Sequence, residues 1–299
     1  MTVADVSTRP LKDITHIGPA AKTKCSQSAL KPPSTRIWGV PFSQLTFGEA
    51  ISEIERLIQD RIPRYFITAN LHYTMLTSEC GDMSALNEEA AFILADGMPI
   101  VWRSKLSSEP LPERIAGSDL IYALADLAAR KRYRVFFLGG ADGVAERASQ
   151  VLKALYPELI VAGTYEPPFG ELMLSEQAEL AMRVSDARPD LLLVALGQPR
   201  GEQWIARWHQ QMNVPISVQL GGTFNFVTGQ IRRSPSWVAA LGLEWAWRLY
   251  CEPRRLFGRY VRNAVFLSKV AIRDLLNYLK QHSADKSVFS STTSNTASR

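Results

Sequence analysis

From about residue 36 to residue 220, short apolar runs alternate with stretches in which apolar residues recur every three or four positions. The runs predict strands at Arg36–Val40, Tyr65–Thr68, Ala91–Ala95, Arg134–Leu138, Leu159–Thr164, Asp190–Leu196 and Pro215–Gln219. The helical periods fall at Thr46–Gln59, from Leu71, and at Asp119–Arg130, Val144–Leu155, Glu176–Ser185 and Glu202–Gln211. Strands this apolar, separated by helices, predict an α/β, Rossmann-like, mostly parallel sheet with helices on both faces.

After Pro253 the period is wholly helical. Phe257, Tyr260, Val261, Ala264, Leu267, Ala271 and Leu275 form one stripe, and Arg255, Arg259, Arg262, Lys269, Arg273 and Lys280 another. Such a helix suits a membrane interface, with apolar residues in lipid and cations on head groups; packing on the sheet or on a second subunit is the alternative. The outer segments lack periodicity and are rich in Ser and Thr. They set the expected boundaries: a disordered tail over 1–34, a catalytic domain over 35–230, a basic helical appendage over 231–283, and a second tail over 284–299.

Composition adds limits. No apolar run exceeds six residues, far short of the roughly 18 that a membrane span needs. The N-terminus lacks a secretory pattern, and three scattered cysteines form no disulfide framework, so a cytoplasmic location is expected. The net charge is +5, yet residues 231–283 alone carry ten basic and three acidic side chains. That surplus predicts an anionic partner (phosphate, nucleic acid or lipid), against a merely solvated face.

In open parallel sheets, ligands bind beyond the C-terminal strand ends. Four of five such ends here carry glycine: Gly97, Gly139-Gly140, Gly197 before Gln198 and Arg200, and Gly221-Gly222. Glycines admit close backbone approach, and helix N-termini favour phosphate, which predicts a nucleotide or nucleotide-sugar pocket. Tight turning alone is the plainer explanation for any single loop. No G-x-G-x-x-G stands at the Gly139 loop, although Glu166 follows the next strand where a ribose-binding acid would sit. P-loop, zinc and D-x-D signatures are absent from the sequence. Asp96, ending an apolar strand before Gly97, either takes a proton from a sugar hydroxyl or caps the helix entered through Pro99.

Several motifs, in order, resemble one family. They are Thr68-Ala69-Asn70, Ala95-Asp96-Gly97-Met98-Pro99, Phe137-Leu138-Gly139-Gly140, Gly197-Gln198-Pro199-Arg200 and the run from Gly221 through Asn225 to Gly229. Gly242-Leu243-Glu244-Trp245-Ala246-Trp247-Arg248-Leu249 and Glu252-Pro253-Arg254-Arg255-Leu256 complete the set. Over about Ile37 to Ile272 the chain resembles the WecG/TagA/CpsF family of glycosyltransferases.

The resemblance implies an inverting transfer from a UDP-sugar that requires no metal or other cofactor. The implied acceptor is a sugar on a polyprenyl diphosphate, at the cytoplasmic face of the membrane. The products would be cell-surface polymers or exopolysaccharide. Asp96 maps onto the family's base, and Thr68 and Asn70 onto sugar-site positions. Arg248 and Arg255 map onto appendage arginines that close over the diphosphate. A third such arginine falls on Gly258, with Arg259 beside it. Gly201 stands where glutamine is common and Asn225 where aspartate is; the resemblance implies either a shift in donor choice at these departures or Gln198 taking over the missing amide's contact. The Trp-rich C-terminal segment leans toward a glucosyl-type enzyme. The implied partners are donor, lipid-linked acceptor and anionic inner membrane, and not nucleic acid; apolar surface on the last helix also suits a homo-oligomer contact. An NAD-type oxidoreductase and a non-enzymatic anion binder are the competing readings.

Overall fold

A computed structural model describes residues 31–294 except 169, 171, 236 and 239–241. Most of the predicted first tail, and residues 295–299 of the second, lie outside the described residues. The chain opens with a hairpin, β1 (Ser34–Ile37) and β2 (Val40–Ser43), where a single strand was expected. Trp38 and Gly39 make the two-residue turn with φ of 47° and 92°, a double left-handed geometry that suits the twist of paired strands.

Six strands then form one parallel sheet in the order β4 (Ile93–Ala95), β3 (Arg64–Ala69), β8 (Ile216–Gln219), β7 (Leu191–Ala195), β5 (Arg134–Gly139) and β6 (Ile160–Tyr165). This is the predicted fold class. Alternation along the strands sends successive side chains to opposite faces. Phe66, Leu94, Phe137, Leu193 and Val218 pack beneath α1 (Phe47–Asp60), α5 (Gly117–Lys131), α6 (Val144–Leu155) and α9 (Thr223–Val227). Ile67, Ile93, Phe136, Leu138 and Val194 face the other layer: α2 (Leu71–Glu79), α3 (Asp82–Glu89), α4 (Met98–Ser104), α7 (Leu174–Ala187) and α8 (Arg200–Met212). Two buried faces explain why the strands read as unbroken apolar runs. The sequence pattern missed α3 and α9, each eight residues or fewer and too short to show a period, whereas α4 is the helix expected to enter through Pro99.

The basic segment folds as α10 (Glu244–Cys251) and α11 (Pro253–Ser294). The latter runs into the stretch assigned to the second tail. No Gly or Pro follows Gly258 to stop it. α11 does not divide into one apolar and one basic stripe. Leu256, Asn263, Phe266 and Val270 are buried, with Phe266 and Val270 against Met75, Leu71 and Leu76 of α2. Phe257, Val261, Val265, Ile272, Leu275 and Leu276 are exposed. One face of the helix packs on the body, as the packing alternative expects, and a second apolar face is open. Asp274 locks the helix in place, accepting from Arg103 Nε at 2.6 Å and Trp38 Nε1 at 3.0 Å.

Gly139 shows how closely the strand ends pack. A Cβ there would lie 2.7 Å from the Ala195 carbonyl carbon, and its φ is 98°. Gly139→Ala should cost about 2 kcal/mol, lowering Tm by roughly 4 °C or more in a calorimetric scan.

Candidate functional site

All five strand ends that carry the sequence motifs open on one cleft of about 1500 Å3. Of the thirteen site residues expected from sequence, Thr68, Asn70, Asp96, Gly140, Gln198, Arg200, Gly221, Gly222, Asn225, Arg248, Arg255 and Arg259 line it. Gly139 does not. Its place in the motif is explained by the contact with β7.

The β3 and β4 ends are tied together by the Asp96 N–H, which donates to the Ala69 carbonyl at 2.9 Å. Thr68 Oγ1 donates to the Gln219 carbonyl at 3.1 Å, fastening β3 to β8. Asn70 caps α2, its Oδ1 accepting from the Tyr73 N–H, so its amide nitrogen is the part left for a ligand. Asp96 is not a cap. Gly97 precedes α4 and no side chain bonds that helix start. Burial instead pushes the Asp96 carboxyl up to about 7; Arg114, Arg248 and the Gly117 N–H pull it down, and Glu244 adds to the rise. A carboxyl with that value is far better matched to taking a proton near neutral pH than an ordinary aspartate.

Arg114 is a site residue that the sequence reading missed. It sits in a loop with no periodic signal, and only the fold brings it to the cleft. The Ile115 N–H donates to the Ala95 carbonyl at 2.9 Å, which sets this loop alongside the β4 end. Arg114 Nη1 donates to Glu244 Oε2 at 2.7 Å.

The appendage supplies three of the cleft's cations. Arg248 lies 5.1 Å over the Phe226 ring, and its Nε is buried without a hydrogen-bond partner. A Cβ on Gly222 would approach Arg248 Nη2 at 3.5 Å, so the glycine turn is also the floor for this guanidinium. Arg259 Nη2 donates to Gln198 Oε1 at 3.3 Å, so the residue beside Gly258 does reach the cleft. Burial lowers the Arg259 pKa, and Arg248 and Arg255 beside it push the same way. Arg255 pairs with Glu252 at 2.8 Å. Three crowded guanidiniums, one with an orphaned donor, make a setting for an anion. His72 lines the same wall, its Nδ1 3.1 Å from Asn263 Oδ1; burial first, then Arg259, drop its pKa to about 4, so it is neutral.

One expectation needs correcting. Glu166 is no ribose ligand: its carboxylate accepts from the Gly143 and Ala145 N–H groups, both at 2.7 Å, and so fills the anion site at the start of α6. The NAD-type reading loses both its acid and its phosphate seat. Beside Gly201 the Gln219 side chain fills the space, while Gln198 lines the cleft. A Cβ on Gly201 would fall 2.1 Å from Gln219 Oε1, which also accepts from the Leu196 N–H at 3.3 Å. Glu202 is buried behind this loop. Burial pushes its carboxyl up to about 7, with Gln198 and Arg259 pulling the other way. Among the described residues, no group of three His, Cys, Asp or Glu is placed to hold a metal ion.

An open parallel sheet with a buried carboxyl and an arginine-rimmed cleft at its C-terminal edge suits an anionic ligand such as a nucleotide. The family described as "Glycosyl transferase WecG/TagA/CpsF family" matches residues 35–281, and the chain belongs to it. It is 34% identical over 221 residues to an N-acetylglucosaminyldiphosphoundecaprenol N-acetyl-β-D-mannosaminyltransferase of Bacillus spizizenii, covering 72% of this chain and 84% of that one. Proteins of the same name from Bacillus subtilis and Staphylococcus aureus are 29% and 26% identical. The alignments cover 73% and 79% of this chain and 84% and 91% of those relatives. The chain is therefore a glycosyltransferase, which sets aside the non-enzymatic reading.

If Glu166 serves only as a cap, Glu166→Ala should lower stability by about 1 kcal/mol, read as a fall in Tm, with no NAD binding by titration in either protein.

Proposed function

We propose that this chain moves an N-acetylhexosamine from a UDP-sugar to a sugar on a polyprenyl diphosphate, with inversion and without a metal ion. The observation that carries the reading is the buried carboxyl of Asp96, set in a cleft rimmed by Arg248, Arg255 and Arg259. Asp96 takes the proton of the acceptor hydroxyl as that oxygen attacks the anomeric carbon. The bond from that carbon to the UDP oxygen breaks on the opposite side, and its electron pair leaves with UDP. One displacement inverts the anomeric centre. The guanidiniums meet the charge that builds on the departing diphosphate, the part a divalent ion plays in other transferases. The relatives' names favour an N-acetylmannosaminyl donor and an N-acetylglucosamine-bearing acceptor over the glucosyl-type donor.

Among the described residues, no helix is long and apolar enough to cross a membrane. A lipid-linked acceptor would instead be met at the membrane surface, at its cytoplasmic face, where UDP-sugars reside. The exposed Phe257, Val261 and Val265 lie on the same helix as Arg255 and Arg259, so lipid contact and the cleft share one element.

Asp96→Asn should lower kcat by roughly 100-fold or more while UDP still raises Tm. Because the base works only as a carboxylate, wild-type turnover should fall as pH drops through about 7. The UDP-induced rise in Tm should be unchanged by EDTA; its loss would sink the metal-free reading. Replacing Phe257, Val261 and Val265 together with Ser should reduce co-sedimentation with anionic vesicles and leave UDP binding intact.

A further inference from the structure

Asp96 sits beside two opposed charges that arrive from different parts of the chain. Arg114 comes from the loop fastened to the β4 end, and Glu244 opens α10 of the appendage. Both line the cleft. Gly117, three residues past Arg114, closes the third side: a Cβ there would lie 3.8 Å from Asp96 Oδ2. In this arrangement Arg114 gives its hydrogen bond to Glu244, at 2.7 Å with both side chains three-quarters or more buried, and none to Asp96.

A guanidinium free to pair with Asp96 would make it a poor base, because an opposite charge at contact lowers a carboxyl's pKa by about 1–3 units. We propose that Glu244 is a positioning residue for the transfer: by holding Arg114 it keeps that cation from neutralising Asp96, so that the base is complete only with α10 docked. The inference rests on the transferase reading and deepens it. It gives the appendage a part in the chemistry beyond closing over the anion. The division of labour on α10 is then direct. Glu244 at its start tunes the base, and Arg248, one turn on, meets the leaving group.

The charged groups facing Asp96 are Arg114 from its loop and Glu244 and Arg248 from α10. Asp119, at the start of α5, faces Arg114 as well. Removing Glu244's charge and removing Arg114's charge must therefore move Asp96 in opposite directions. Loss of fold alone would give no such opposition.

The test uses the full-length protein, with Glu244→Gln, Glu244→Asp and Arg114→Gln. Two quantities are read: the pH profile of kcat with UDP-sugar and lipid-linked acceptor, and the titration of the Asp96 side-chain carbon by 13C NMR, assigned through Asp96→Asn. Glu244→Gln should move both midpoints down by about one pH unit and lower the plateau kcat, leaving donor KM near wild type. Arg114→Gln should move the Asp96 titration up by about the same amount. Glu244→Asp, which keeps the charge, should stay within a few tenths of a unit of wild type and remains informative if the glutamine variant fails to fold. Midpoints unmoved in Glu244→Gln, or moved the same way in both charge-removing variants, overturn the inference. A wild-type protein that turns over no UDP-sugar sinks the transfer reading instead, while the NMR titration still decides the role of Glu244.

Discussion

The level alignment of parallel strand ends is the constraint on which the rest depends. The register pairs Ala69 with Ala95 and Ile67 with Gln219, so β3, β4 and β8 finish at the same edge. Backbone bonds then carry the alignment past the sheet, from Asp96 to Ala69 and from Leu220 to Val194. A slip of one residue in β4 would turn Asp96 from the cleft into a packed layer, because strand side chains alternate. The tight fit of Gly139 against Ala195 belongs to the same constraint, although that residue meets no ligand. Motif residues in this edge thus divide into those that face the cleft and those that let strands end close enough to make it.

Charge in the cleft is arranged by competition. Three guanidiniums crowd one wall, while a carboxyl with restricted hydration occupies another. Left alone they would pair and cancel. They are kept apart by separate anchorages: Asp96 at a strand end, Arg114 drawn to Glu244, Arg255 to Glu252, and Arg248 laid on Phe226 over Gly222. An unpaired buried cation is costly unless something else supplies the compensating charge. A diphosphate does so, which links the resting geometry to the proposed donor.

The appendage reaches this cleft because α11 has three faces instead of two. One packs on α2, one turns Arg255, Arg259 and Ala264 into the cleft, and one remains open. Asp274, held by Arg103 and Trp38, and Asn263, held near His72, set the rotation of the helix. Rotation decides which apolar residues are left outside, so the open apolar surface and the cleft-facing arginines follow from the same few contacts.

By itself the sequence determined the elements longer than a few turns, the parallel α/β class and the edge at which the site lies. These depend on local period, on strand hydrophobicity and on glycine at strand ends, all readable without knowing what touches what. It also determined the family, through motifs whose order survives in the linear chain. Only tertiary structure decided the rest. That Asp96 does not cap α4 could not be read from spacing, because a cap and a base both place an aspartate between a strand and a helix. Arg114 carried no signal, since its partners are 18 and 130 residues away. Glu166 stood where a ribose acid would stand, and only the fold shows that two N–H groups already hold it. The packed face of α11 includes a polar residue, Asn263, that no hydrophobic count would select. In each case the deciding quantity was a charge or a contact between distant segments. Periodicity reports a residue's own element and is silent on the element that meets it.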